Sequence, residues 1–327
     1  MSSPLPVRDG VNATRLRLPA AGPWETALDY MLHRWGHIDP EGILQRFDNG
    51  EIVGADGLPL HRGTPLDEHT FIWYYRTLPA EERIPFELAV LHRDDHLVVV
   101  DKPHFLPTTP GGAYIQESAL VRLRNELALP DLVPMHRLDR MTAGVLLFAV
   151  NPETRGKYQV LFERRAVQKE YECVSLLGSP GAACDGGAPL ERFAAPVVVR
   201  NRMMKSRDYL LAEVVEGEPN AETRIELVRT APHPGEDGSP RIRALFRLEP
   251  RTGKTHQLRV HMAGLGAGIM HDPFYPVLLD KAPDDYGRPL QLLARAIRFR
   301  DPFTREETEF RSRLTLREAP PAVQPTA

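Results

Sequence analysis

Met135-His-Arg-Leu-Asp-Arg-Met-Thr-Ala-Gly-Val145 leads straight into Leu146-Leu-Phe-Ala-Val150, and the change from polar to apolar decides how the chain is read. Ala143 to Val150 is a short apolar run, the pattern of a buried strand. Asp139 therefore sits in a polar segment just before that strand, where a scaffold presents functional groups. Asn151 and Pro152 then offer an N-cap and first turn for a helix carrying Tyr158, Leu161 and Phe162. Val167 to Leu177 returns as a strand.

Further strands are expected at Tyr209 to Val215, Ile225 to Thr230 and Arg241 to Leu248. The last alternates strictly, with Ile242, Ala244, Phe246 and Leu248 on one side. Upstream, Leu88 to Leu91 and Leu97 to Val100 flank the turn Arg93-Asp94-Asp95, and Leu120, Leu123 and Leu127 mark a helix over Ser118 to Leu129. Gly178 to Pro189 and Ala231 to Pro240, rich in Gly and Pro, are expected as surface loops. The sum is an α+β domain with a mainly antiparallel mixed sheet flanked by helices.

Ahead of it, Trp24, Leu28, Met31, Leu32 and Trp35 share one helix face, and Asp39-Pro40 opens a second helix with Ile43, Leu44 and Phe47 inward and Gly50 as its stop. Glu51 to Leu60 follows as strand, Asp-Gly turn and strand. The expected organisation is a flexible tail over 1–21, a small α/β domain over 22–80, a linker within Arg76 to Phe86, a larger domain over 86–313 and a flexible tail over 314–327. The 327 residues fit about two domains of ordinary size, and 42% hydrophobic with 26% charged residues argues against disorder.

The longest apolar run is eight residues, far short of a membrane span, and Met1 to Gly10 lacks a signal-peptide core. A cytoplasmic protein without membrane association is expected. Cys173 and Cys184 form no metal or redox motif and are expected as reduced thiols. The net charge of -3 gives no global case for nucleic acid, and the first 85 residues carry eight cations against twelve anions. Arg241 to His261, however, holds six cations (Arg241, Arg243, Arg247, Arg251, Lys254, Arg259) and one anion, Glu249.

Three candidate chemistries fail on spacing. Gly253-Lys254-Thr255 lacks the earlier glycine of a phosphate loop, because Leu248 stands there. His256 and His261 are five apart with no glutamate between, not the four of a zinc-protease helix. A G-x-S-x-G elbow is absent. Three segments remain: Met135 to Val145, Lys169-Glu-Tyr-Glu-Cys173, and Arg251-Thr-Gly-Lys-Thr-His-Gln-Leu-Arg-Val-His261.

The first resembles the H-R-L-D loop of RluA-type RNA pseudouridine synthases, the third their R-T-G-K-T-H-Q-L-R-V-H signature, and the second their K-x-Y strand. Asp101-Lys102-Pro103 resembles the family's D-K-P element, and Asp272 stands where an aspartate usually follows the third motif. The resemblance spans Leu91 to Phe299. It implies a pseudouridine synthase catalytic fold and isomerisation of specific uridines in structured RNA, either ribosomal RNA, above all of the large subunit, or transfer RNA. No cofactor, metal or protein partner is implied, and a monomer is expected.

By the same resemblance Asp139 is the nucleophile, attacking either the uracil ring or the ribose, and Arg259 is its cationic partner. Tyr171 stacks on the target uracil; by pattern alone it is equally a core aromatic sharing a face with Val167 and Cys173. Leu292 or Leu293 closes the other side of the base, and Leu293 is favoured. Arg137 enters the position that the flipped base vacates. Arg251 and Lys254, within the Arg241 to Arg259 cluster, are expected to bind phosphates, and His136 to be structural. The late L-x-L-H-A element is altered to Leu292-Leu-Ala-Arg295. The N-terminal unit faintly resembles a small RNA-binding domain but departs from it in charge. A catalytically silent RNA-binding or ribosome-assembly protein on this fold is the alternative; intact Asp139, Tyr171 and Arg259 argue against it.

Overall fold

The computed structural model describes residues 3–78, 80–178, 188–206, 211–234, 240–280 and 282–322. The chain divides into two compact units, Met1–Arg83 with Pro110–Pro130, and Ile84–Thr109 with Asp131–Ala327.

In the first unit, β1 (Thr14–Arg17) pairs antiparallel with β2 (Phe71–Tyr74). Thr26 caps α1 (Ala27–Trp35) through a reciprocal box with Asp29, and Asp39 caps α2 (Pro40–Asp48) by accepting from Gly42 N. Leu18, Met31, Ile43, Phe47, Ile52 and Ile72 share one core. Residues 1–21 are thus not a simple flexible tail: Leu16 and Leu18 turn inward while Arg15 and Arg17 point out, a period-two pattern that docks the segment as a strand. Between Glu51 and Leu60 only one bridge forms, Val53 with Pro59, around the turn at Gly57.

α3 (Ala119–Leu127), capped by Ser118, also belongs to this unit rather than to the larger domain in which the sequence placed it. The reason is polar. Arg124 donates to Gly10 O and Asn12 Oδ1, and the Glu81 carboxylate, inside the expected linker, accepts from the backbone N–H groups of Ile115, Gln116 and Glu117.

The second unit is built on β3 (Ala89–Arg93), β4 (Leu97–Lys102), β5 (Val133–Pro134), β6 (Ala143–Ala149), β7 (Gln168–Gly178), β8 (Val197–Lys205), β9 (Ala212–Val215), β10 (Ala221–Pro234), β11 (Pro240–Pro250), β12 (Leu292–Arg300) and β13 (Glu307–Arg311). Its sheet runs β3-β4-β6-β12-β7-β11-β10-β8-β9, with β5 beside β6 and β13 beside β12. Only the β6–β12 pairing is parallel among the described strands, so the mixed, mainly antiparallel α+β fold is observed. α4 (Pro152–Glu163) carries Asn151 as its cap, and α5 (Gln257–Gly264) follows β11.

Ala231 to Pro234 extends β10, and Pro240 already belongs to β11, so these residues are strand rather than loop, while residues 235–239 of the expected loop lie outside the described residues. Residues 179–187, within the other expected loop, lie outside the described residues, as does Cys184; Cys173 is a buried free thiol. The C-terminal segment, expected as a tail from 314, is anchored up to residue 320. Leu316 is buried beside Leu293, Glu318 pairs with Arg243, and the buried Asp101 carboxylate accepts from Ser312 Oγ and Arg313 N.

Where β6 meets β12, Gly144 has φ +112° and faces Ala294; a Cβ there would fall 2.2 Å from Ala294 O. Only glycine permits this approach. It fixes the start of β6, and so the loop carrying Asp139, against β12. Among the described residues no helix is long and apolar enough to cross a membrane.

Candidate active site

The loop from Met135 to Thr142 is held in place through both its backbone and the side chains of His136 and Arg140. Thr108 Oγ1 donates to Leu138 O and accepts from Leu138 N. His104 Nδ1 donates to Met141 O at 2.6 Å, and the ammonium of buried Lys102 donates to Pro103 O, Leu106 O and Arg140 O. Arg140 clamps Asp284 through two bonds, at 2.6 and 2.8 Å. His136 accepts from Leu147 N and stacks on Phe162. Burial pulls its ring down to about 3, so it is neutral and structural. Burial likewise lowers Lys102 to about 7, opposed by the nearby Asp139 charge.

With the loop pinned, the Asp139 side chain projects into a cavity of about 520 Å³ and remains 34% exposed. Tyr171, Arg259, Arg137, Arg251 and Lys254 line the same cavity. Arg259 Nη1 lies 3.8 Å from Asp139 Oδ2, beyond hydrogen-bond reach but within strong electrostatic range. The guanidinium is anchored elsewhere: its Nε donates to Asp272 Oδ2 at 2.8 Å and its Nη2 to Asp272 Oδ1, in a pair whose side chains are both 1% exposed. Phe274 and Tyr275 flank it at 4.8 and 5.4 Å. Asp272 thus holds Arg259 so that one edge stays directed at Asp139.

His256 was missed as a site residue in the sequence. It sits in a left-handed conformation at the start of α5, 9% exposed, with Nε2 3.8 Å from Asp139 Oδ2 and Nδ1 3.0 Å from Tyr275 Oη. A helical ligand test could not find it, because at φ +53° it precedes the helix; its place in the third motif was the available signal. The loop before it is organised by buried Gln257. Gln257 Oε1 accepts from Thr252 Oγ1 and Lys254 N, and its amide donates to Glu222 O and Thr223 Oγ1.

Tyr171 on β7 pairs in register with Leu248 and Ala294, and burial, then the Asp139 charge, pushes its hydroxyl well above its usual range. Leu292, rather than the favoured Leu293, lines the cavity. The physical reason is strand alternation: Leu292 opposes Cys173 and packs with the core below the cavity, whereas Leu293 opposes Glu172 and packs with Ala143, Val174 and Leu245. The altered Arg295 on that opposite face pairs with Glu172.

The same alternation divides the expected phosphate-binding cluster. Arg243 and Arg247 lie on the face of β11 opposite Phe246 and Leu248, where Arg243 meets Glu318 and Arg247 meets Glu226. Arg251, at the cavity rim, pairs with Glu222 at 3.4 Å. Lys254 and Arg137 are exposed cations of the rim without an ion pair among the described residues.

Residues 96–264, just over half of the chain, match the family model described as RNA pseudouridylate synthase. The chain belongs to this family. A dual-specificity RNA pseudouridine synthase RluA of Pasteurella multocida is 30% identical over 240 residues, which cover 72% of this chain and 94% of the relative. An uncharacterized RNA pseudouridine synthase of Synechocystis sp. is 28% identical over 248 residues, 76% of this chain and 78% of the relative. The human RNA pseudouridylate synthase domain containing 1 structure has a TM-score of 0.50 at 22% identity, covering 71% of this chain and 86% of that one, a likeness of fold. The chain is an RNA pseudouridylate synthase of the RluA type, and its reaction is an isomerisation on RNA.

Proposed function

We propose that this synthase isomerises uridines in large-subunit ribosomal RNA or transfer RNA with Asp139 as nucleophile, on a base flipped out of its stack. One observation carries the reading: an accessible carboxylate, a tyrosine ring and a buried, preorganised guanidinium line one cavity large enough for a nucleotide. A preoriented cation stabilises a developing or ionised carboxylate without reorganisation. Arg259 has that role toward Asp139. Tyr171 stacks on one face of the uracil, and Leu292 closes the other.

Arg137, exposed at the rim and free of ion pairs among the described residues, fills the stack left by the base. Lys254 and Arg251 meet backbone phosphates, Lys254 more freely because Arg251 shares its charge with Glu222. The substrate assignment is tested by mapping pseudouridine in total RNA from cells with and without the gene. Loss of one or more ribosomal or transfer RNA sites is expected; an unchanged map in those RNAs would reject it.

A further inference from the structure

His256 Nδ1 lies 3.0 Å from Tyr275 Oη, whose other partners are Ala212 O and Ala212 N. When the Tyr275 hydroxyl donates to Ala212 O at 3.2 Å while accepting from Ala212 N at 2.7 Å, it faces His256 Nδ1 as an acceptor. In that arrangement Nδ1 carries the hydrogen and the Nε2 lone pair is presented to Asp139 Oδ2 at 3.8 Å. The rings of Phe274 and Tyr275 shield the imidazole, each with its centroid 5.6 Å away. The charged groups facing it are Asp139 and Asp272, which favour its protonation, and Arg259, which opposes it. Burial outweighs these and lowers its affinity for protons, leaving a neutral ring in the resting site.

Two acceptors facing each other, one carboxylate oxygen and one imidazole nitrogen, make a place for a single shared proton. The isomerisation needs such a place. The N1–C1′ bond breaks, the C5–C1′ bond forms, the C5–H proton leaves while its electron pair restores the C5–C6 double bond, and N1 gains a proton. One proton must come off carbon and one must go to nitrogen.

We propose that His256 is the proton-holding partner of Asp139: the C5 proton passes to the released Asp139 carboxylate, is shared with His256 Nε2, and is returned from this pair to N1 or to solvent. His256 acts through Asp139 and is a positioning residue, so the inference rests on the nucleophile reading. Tyr275 sets the tautomer that keeps Nε2 open.

The test is single-turnover isomerisation, with enzyme in excess, of RNA bearing either hydrogen or deuterium at C5 of the target uridine. His256→Gln retains a polar side chain of similar reach but cannot take up a proton. It is expected to slow turnover by about 10²-fold, the lower range for positioned acid–base groups, and to raise the C5 isotope effect above the wild-type value at unchanged RNA affinity. A loss equal for both isotopes, or no loss, overturns the proposal. If His256→Gln does not fold, Tyr275→Phe decides, because freeing Nδ1 should raise the isotope effect and an unchanged value overturns the relay. Failure of the nucleophile reading shows separately, as turnover by Asp139→Asn.

Discussion

Replacing Asp272 with alanine leaves the Arg259 guanidinium buried with its main counter-charge gone. Both side chains of the pair are 1% exposed, and the remaining carboxylate, Asp139, is 3.8 Å away. Breaking a buried pair by removing one partner costs about 3–5 kcal/mol. Asp272 Oδ1 also accepts from Phe274 N and Tyr275 N, so their loss pushes toward the upper end. For a domain of this size about 2–4 °C of melting temperature accompanies each kcal/mol, giving a drop of about 6–20 °C. Urea and thermal denaturation followed by circular dichroism measure both quantities against the wild type. A loss below about 1 kcal/mol, the worth of an exposed pair, would refute the view that Asp272 is the anchor of Arg259.

Tyr171→Phe keeps the stacking face and Tyr171→Ala removes it; with stacking worth about 1–3 kcal/mol per base, Ala should weaken RNA binding more than Phe, and equal affinities would return Tyr171 to the core. Arg137→Ala should slow modification of a folded stem-loop far more than of a short unpaired RNA, where little unstacking is needed; equal losses with a shallower salt dependence would make Arg137 a phosphate contact instead. Burial lowers His104, His136 and His261 to about 4, 3 and 4, while an unfolded imidazole titrates near 6.5. Their neutral forms favour the fold above pH 6.5, and this contribution is lost as pH falls toward 4, because the unfolded chain takes up protons that the fold refuses. Urea midpoints should therefore fall over that window, and a flat profile would contradict the assignment.

Long periodic elements were legible: the apolar run at β6, the alternation of β11, and the caps of α2 and α4 each reflect a local rule. α5 was not expected, since its eight residues give few periods, although Leu258, Met262 and Leu265 have helical spacing. The cationic run near residue 250 misled because sequence proximity ignores the strand's two faces. Strand alternation turns Arg243 and Arg247 away from the side on which Leu248 lies. Leu292 and Leu293 could be separated only by the register of β12 on β7, a long-range property. The path of 110–130 into the first unit depends on Glu81 and Arg124 reaching distant backbone groups, contacts that no local pattern records. Asp139, Tyr171, Arg137, Arg251, Lys254 and Arg259 were singled out by motif and line one cavity; Asp272, Gln257 and His256 also stand in or after the third motif, but what they hold is visible only in three-dimensional packing.

The most direct test of Asp139 as nucleophile is single-turnover pseudouridine formation by wild-type protein and Asp139→Asn on the same RNA, with binding measured in parallel. The substitution preserves shape and removes the charge from the carboxylate facing Arg259 and His256. Pseudouridine should form with the wild type and not with the variant, while both bind the RNA with similar affinity. Continued turnover by pure Asp139→Asn protein would contradict the account.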